Sequence, residues 1–337
     1  MIDFRSDTVT RPCAAMRKVM AEADVGDDVL GDDPTVNMLE AWAAERHGFE
    51  SALFTSSGTQ ANLLGILSHC ERGDEYLCGQ DAHNYRYEAG GAAVLGSVQP
   101  QPIENMPDGT LPLAKLECAV KPDDSHFART RLISLENTIG GKVLPANYVH
   151  EIRAFTDRHR LQLHLDGARA YNAAVAMGVD IAELAKPFDS MTICLSKGLG
   201  APVGSLLLGP RDYIQRARRL RKMLGGGMRQ AGILAAAGYY ALRHNVERLA
   251  EDHENARYLA QQLQQLAGFE TAAHPVQTNI VFVDVSSSID IHGLAKQLHT
   301  QGIFMSPGYQ GMRLVTHKDI DRAAIDTFID SVRRALN

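Results

Sequence analysis

Up to about residue 245, short β-branched and apolar runs alternate with stretches of helical periodicity, and this alternation constrains the fold more than any other feature of the chain. Parallel strands need long crossovers, and helices supply them, so the pattern specifies an α/β unit: a mostly parallel sheet with helices on both faces. Candidate strands are residues 52–55, 75–78, 131–135, 161–165, 191–195 and 204–208. Open parallel sheets bind ligands outside the carboxyl ends of their strands. Residues 56–59, Glu136 with Asn137, residues 166–169, and Ser196 with Lys197 should therefore converge on one crevice.

The pattern changes near residue 245, which divides the chain into a large domain over 1–245 and a smaller α+β domain over 246–337. Ala256, Leu259, Leu263 and Leu266 form one apolar helix face that Gly268 ends. A strand over 279–283 and a helix over 291–300 follow, then a hairpin pairing 303–305 with 312–315. Thr316-x-x-Asp319 reads as the capping box of a last helix that turns Ile320, Ala324, Phe328 and Val332 inward.

Composition narrows the functional classes. With 337 residues, 45% of them hydrophobic, the chain can bury one large core and a second smaller one. A net charge of −6 gives no footprint for nucleic acid. The five cysteines are scattered without a Cys-x-x-Cys pair, which speaks against a disulfide framework or a zinc site and fits a reducing cytoplasm. The first seven residues lack the features of a signal peptide, and the longest apolar run, about 232–242, is too short to span a bilayer.

Lys197 is the residue with the sharpest chemical implication. A lysine beside glycines is ordinarily a solvated loop residue, but this one follows the run 191–195 and opens the small-residue turn 198–202. An amine at a strand's carboxyl end, with room for a flat ligand, suits a Schiff-base lysine of a pyridoxal 5'-phosphate enzyme. Asp166, one strand away, is placed to keep the ring nitrogen of such a cofactor protonated. Gly58 and Thr59 open a helix whose free N–H groups and positive dipole end suit a phosphate. Arg169 and Arg313 could grip a carboxylate through their planar forks. His83 could stack on the cofactor or act as a base. No pattern of metal ligands stands out; Asp27, Asp28, Asp32 and Asp33 read as turn caps, with an oxygen-only cation site as the alternative.

Residues 3–12, 29–35, 57–62, 136–138, 164–169 and 196–200 together carry a resemblance that runs essentially end to end. The chain resembles the low-specificity L-threonine aldolases, pyridoxal phosphate enzymes of the aspartate-aminotransferase-like fold type I. That resemblance implies Lys197 as the Schiff-base residue, Asp166 at the ring nitrogen, Gly58 and Thr59 at the phosphate, and His83 stacked over the ring. It also implies Ser6, Arg169 and Arg313 at the amino-acid carboxylate, and raises His126 beside His83, with His83, His126 or a water held between them as the base for the β-hydroxyl proton. Members form homotetramers built from dimers, with each site completed by a neighbour, so Lys222 or Arg229 would reach the adjoining subunit's cofactor. The implied reaction is retro-aldol cleavage of L-threonine, L-allo-threonine and other L-3-hydroxy amino acids to glycine and an aldehyde. The alternative is a β-eliminating lyase that shares the cofactor residues and cleaves a substituent on Cβ.

Overall fold

Apolar side chains alternate across strands that are buried on both faces, so the sheet must be covered by helices from either side. In the computed structural model, which describes residues 1–271, 276–308 and 311–336, seven strands form that sheet. They are β1 (Ser51–Thr55), β2 (Asp74–Gly79), β3 (Gln99–Ile103), β4 (Arg129–Glu136), β5 (Gln162–Asp166), β6 (Ser190–Cys194) and β7 (Ser205–Gly209). Their order is β1-β7-β6-β5-β4-β2-β3. β7 runs antiparallel to both neighbours and the other pairings are parallel. Successive residues of β7 show the two-sided burial: Leu206 and Leu208 enter the main core with Val36, Ile152 and Ala235, whereas Leu207 meets Leu64 and Ile214 on the other face.

All six strands expected from the sequence are present. The seventh, Gln99–Ile103, was not expected, because prolines occupy positions 100 and 102. It pairs only with β2, as an edge strand. Half of an edge strand's N–H groups face away from the sheet, so prolines at alternate positions forfeit no ladder bond.

A second core gathers Leu259, Leu263, Val281, Leu298, Leu314 and Phe328 around a four-stranded antiparallel sheet. The expected hairpin is corrected in register. Ser306–Pro307, not residues 303–305, pairs with Gly311–Val315, while Ile303–Phe304 lies parallel to Ile2–Asp3 at the start of the chain. Phe4 then inserts into the second core, its ring centroid 4.9 Å from that of Phe328. The expected capping box is also replaced. Asp321 Oδ1 accepts the Ala324 N–H at 2.8 Å, so the last helix begins at Arg322. Thr316 is buried and donates to the Asp252 carbonyl at 2.6 Å. Ile320, Phe328 and Val332 are buried as expected.

Candidate active site

A cleft of about 610 Å³ opens where β4, β5 and β6 end, lined by Ser6, His83, Glu136, Arg169, Lys197 and Arg313 among others. The small sheet contributes Ile280, Phe282 and Arg313 to its far wall. Another cavity, of about 530 Å³, lies at the opposite, amino-terminal edge of the sheet between His47, Phe49, Asp189 and Pro210. Of the two, the carboxyl-end cleft is the one lined by residues that the sequence marks for chemistry: Ser6, His83, Arg169, Lys197 and Arg313.

Lys197 owes its position to the turn after β6. The Gly200 N–H donates to the Lys197 carbonyl at 2.8 Å, with Gly200 at φ +79°, a conformation that suits a residue without Cβ. Thr10 Oγ1 donates to the same carbonyl at 3.0 Å, tying the N-terminal segment to the turn. The amine lines the cleft and has no hydrogen-bond or salt-bridge partner among the described residues.

Asp166 ends β5 and is 1% exposed. Its two oxygens accept from Asn62 Nδ2 at 2.7 Å and from the Ala168 N–H at 3.1 Å. Asn62 sits one turn into the helix Gly58–His69 and also donates to Glu88 Oε1 at 2.8 Å, while its own Oδ1 accepts from Thr192 at 3.0 Å. Glu88 in turn holds His83 Nδ1 at 2.7 Å. That bond, ahead of the opposing effect of burial, favours the charged imidazole and raises its pKa; burial raises that of Glu88 despite the same bond. Among the described residues, His83, Glu88 and Asp166 are also close enough to bracket a cation, but the Asn62 amide already donates to both carboxylates. Asn62 and Glu88 were missed as site residues. Asn62 follows Gly58 by four positions and so shares its helix face, a usable signal, whereas nothing in sequence spacing marks Glu88.

Ser57 caps that same helix, its Oγ accepting the Gln60 N–H at 3.1 Å. The N–H groups of Gly58 and Thr59 have no partner among the described residues. A Cβ on Gly58 would stand 3.9 Å from Cys194 Sγ, which places this helix start beside the strand that delivers Lys197.

On the opposite wall, Arg169 meets an acid that sequence reading did not assign. Asp7, fully buried, accepts from Arg169 Nε at 2.9 Å and Nη2 at 2.7 Å, and from Asn279 Nδ2 at 3.2 Å. Burial is the largest influence on Asp7 and acts to raise its pKa, yet Arg169, Lys197 and Asn279 together hold it far below the usual carboxylate range. The Arg169 fork is therefore half committed within the protein, and its remaining N–H groups are those available to the cleft. Ser6 caps the short turn Asp7–Val9, accepting the Thr8 N–H at 3.2 Å. Arg313 is half-buried and weakly tied to the Arg5 carbonyl at 3.4 Å; burial, then repulsion from Arg169, lowers its pKa.

Three residues picked from the sequence are not brought to the cleft within one chain. His126 is 83% exposed and pairs with Asp124 at 2.6 Å. Lys222 is exposed beside Gly227, and Arg229 bonds Asp27 at 2.7 Å.

The chain's likeness to known proteins agrees with this geometry. Residues 3–288 match the family model described as beta-eliminating lyase. The chain belongs to the beta-eliminating lyase family. Within the range of this family it is 58% identical to the low specificity L-threonine aldolase of Escherichia coli strain K12 over 322 residues, covering 96% of this chain and 95% of that protein. It is 42% identical to the low-specificity L-threonine aldolase 1 of Arabidopsis thaliana, covering 99% and 96%. Among solved structures, the threonine aldolase of Leishmania major superposes with a TM-score of 0.84 at 22% identity over the whole of both chains. A serine palmitoyltransferase of Sphingomonas wittichii gives 0.77 at 18% identity, covering 98% of this chain and 86% of that one. Both structures share the fold of this beta-eliminating lyase family member, a mostly parallel sheet between helices with a smaller antiparallel domain.

Proposed function

We propose that this protein is a pyridoxal phosphate-dependent aldolase that splits L-threonine, L-allo-threonine and other L-3-hydroxy amino acids into glycine and an aldehyde. The observation that carries the reading is the Lys197 amine, without a partner among the described residues, in a cleft one strand from the buried Asp166, in a chain so similar to the L-threonine aldolases named above. The residues present fit the cofactor: a free amine for its aldehyde, the unpartnered Gly58 and Thr59 N–H groups for its phosphate, Asp166 for its ring nitrogen and the His83 imidazole for its face. When bound, pyridoxal phosphate supplies an electron sink for the pair released from the Cα–Cβ bond.

The chain's own contribution is orientation. Ser6, Arg313 and the free N–H groups of Arg169 hold the substrate carboxylate, and this clamp turns Cα so that its bond to Cβ is the one that breaks. Asp7 keeps the Arg169 fork from rotating. Glu88 aims His83, and Asn62 holds Glu88 and Asp166 in mutual register. We assign Lys222, Arg229 and His126 to completing the site across the interfaces of a homotetramer, since none of the three lines the cleft of its own chain. A cytoplasmic setting agrees with five unpaired cysteines, and among the described residues no helix is long and apolar enough to cross a membrane.

The test is product analysis with both threonine diastereomers. Glycine and acetaldehyde are expected from each, whereas 2-oxobutanoate would favour the β-eliminating alternative that the family description allows. Borohydride reduction is expected to attach the cofactor to Lys197, and labelling elsewhere would refute the assignment.

A further inference from the structure

Among the described residues five acids stand around this cleft, and four of them have partners that fix their charge or their place, Asp81 through Arg86 at 2.9 Å. Asp7 has Arg169, Glu88 has His83, and Asp166 accepts two N–H donors. Glu136 differs. It ends β4 directly beside Asp166 in the sheet register, and its Oε2 accepts the backbone N–H of His83 at 2.7 Å. Its other oxygen has no partner among the described residues, although Glu136 is only half-buried and lines the cleft. One oxygen is pinned and one is presented.

We propose that Glu136 is the catalytic base that takes the proton of the substrate's β-hydroxyl, an inference that rests on the aldolase reading above. The O–H bond breaks as its proton passes to Glu136 Oε1, and the oxygen's electron pair becomes the second bond of the aldehyde carbonyl. The Cα–Cβ bond breaks in the same step and leaves its pair at Cα. Cα then takes up one proton and Glu136 releases one, so no proton is consumed overall.

His83 is less suited to this task, because its Nδ1 is committed to Glu88 and that bond favours the charged ring, which donates rather than accepts. His126 is remote from the cleft of its own chain. The groups facing Glu136 are Asp166 from β5, His83 from the helix His83–Arg86, Lys197 from the turn after β6 and Arg169 beyond β5. Burial first, then Asp166, push its carboxyl up to about 7, against the opposing pull of the His83 N–H and Lys197. A base works best when its pKa lies near the working pH.

Glu136→Gln keeps an oxygen for the His83 N–H and cannot take up a proton. Single-turnover cleavage of L-threonine by the loaded variant is expected to fall by about 10² to 10⁴. Exchange of the glycine Cα proton with deuterated solvent, followed by NMR, needs no hydroxyl base and is expected to persist. Glu136→Asp should recover part of the cleavage. In the substrate-free, cofactor-free protein, infrared difference spectra should show a carboxyl band titrating near neutrality that Glu136→Gln lacks. Wild-type cleavage by the Gln variant, or parallel loss of cleavage and glycine exchange, overturns the proposal. If the Gln variant does not fold, the wild-type infrared titration decides, since absence of such a band refutes the role. A wild-type protein that exchanges glycine yet splits neither threonine diastereomer refutes the aldolase reading itself.

Discussion

The two walls of the cleft treat charge in opposite ways. On the wall formed by the N-terminal segment and the small sheet the buried charge is paired: Asp7 accepts from Arg169 and Asn279, and among the described residues Arg313 makes only a weak bond to the Arg5 carbonyl. The wall formed by the ends of β4 and β6 leaves an amine and a carboxyl oxygen without partners among the described residues. A paired group is rigid and holds a ligand in place, whereas an unpaired one keeps the freedom to exchange protons or form bonds. Binding and chemistry are thereby divided between two parts of the chain.

That division predicts how substitutions should differ. Lys197→Ala, on the open wall, is expected to lower kcat by on the order of 10⁴ or more, with the fold intact by circular dichroism. A large loss of stability in that variant would break the contrast. Asp7→Asn, on the paired wall, leaves the Arg169 guanidinium buried without its counter-charge and should cost about 3–5 kcal/mol in denaturant unfolding. An unchanged midpoint would mean that the pair is not the structural tie described. Arg313→Ala removes charged hydrogen bonds to a substrate carboxylate worth about 1.5–3 kcal/mol. KM for L-threonine should rise by about 10- to 100-fold at near-normal cofactor content, and a change confined to kcat would move Arg313 to the other wall.

The smallest effect is the pH dependence of stability, which sharpens the comparison because the two walls pull in opposite directions. Asp7 is held below its ordinary pKa, so its contribution is present above about pH 4 and is lost as pH falls through the lower folded value. Glu136 is raised, so its contribution is present below about pH 4 and is lost as pH rises through about 7. Unfolding of the cofactor-free protein at several pH values should show a decline from about pH 4 towards 7 that Glu136→Gln flattens and a decline below about pH 4 that Asp7→Asn flattens. Identical profiles for both variants would remove the distinction.

Much of this arrangement was legible in the sequence because parallel strands end at one edge. Lys197, Asp166 and Gly58 could be placed together from the runs that precede them, and Glu136 was recognised as a strand-end residue without a task. Asp7 could not have been found in this way. Its partner lies 162 positions away, and an acid in a short N-terminal turn carries no periodic signal. Glu88 was hidden for the same reason, since its significance comes only from meeting His83 and Asn62. The edge strand β3 escaped because proline is read as a breaker wherever strand position is unknown, and the hairpin register shifted because residues 303–304 found a better partner in the N-terminal strand.

That partnership has a consequence for how the protein is made. Ile2 pairs with Ile303, Phe4 receives the Val315 N–H at 2.9 Å, and the Asp3 carbonyl meets His317 Nε2 at 2.8 Å. Residues 2–4 therefore wait for a seat built by residues some 300 positions later in the chain. At about 5–20 residues per second the interval is roughly 15–60 s, during which Ile2 and Phe4 have no native place to dock. The nascent chain should be most open to capture by chaperones during this interval, and docking of residues 2–4 should be among the final events of folding.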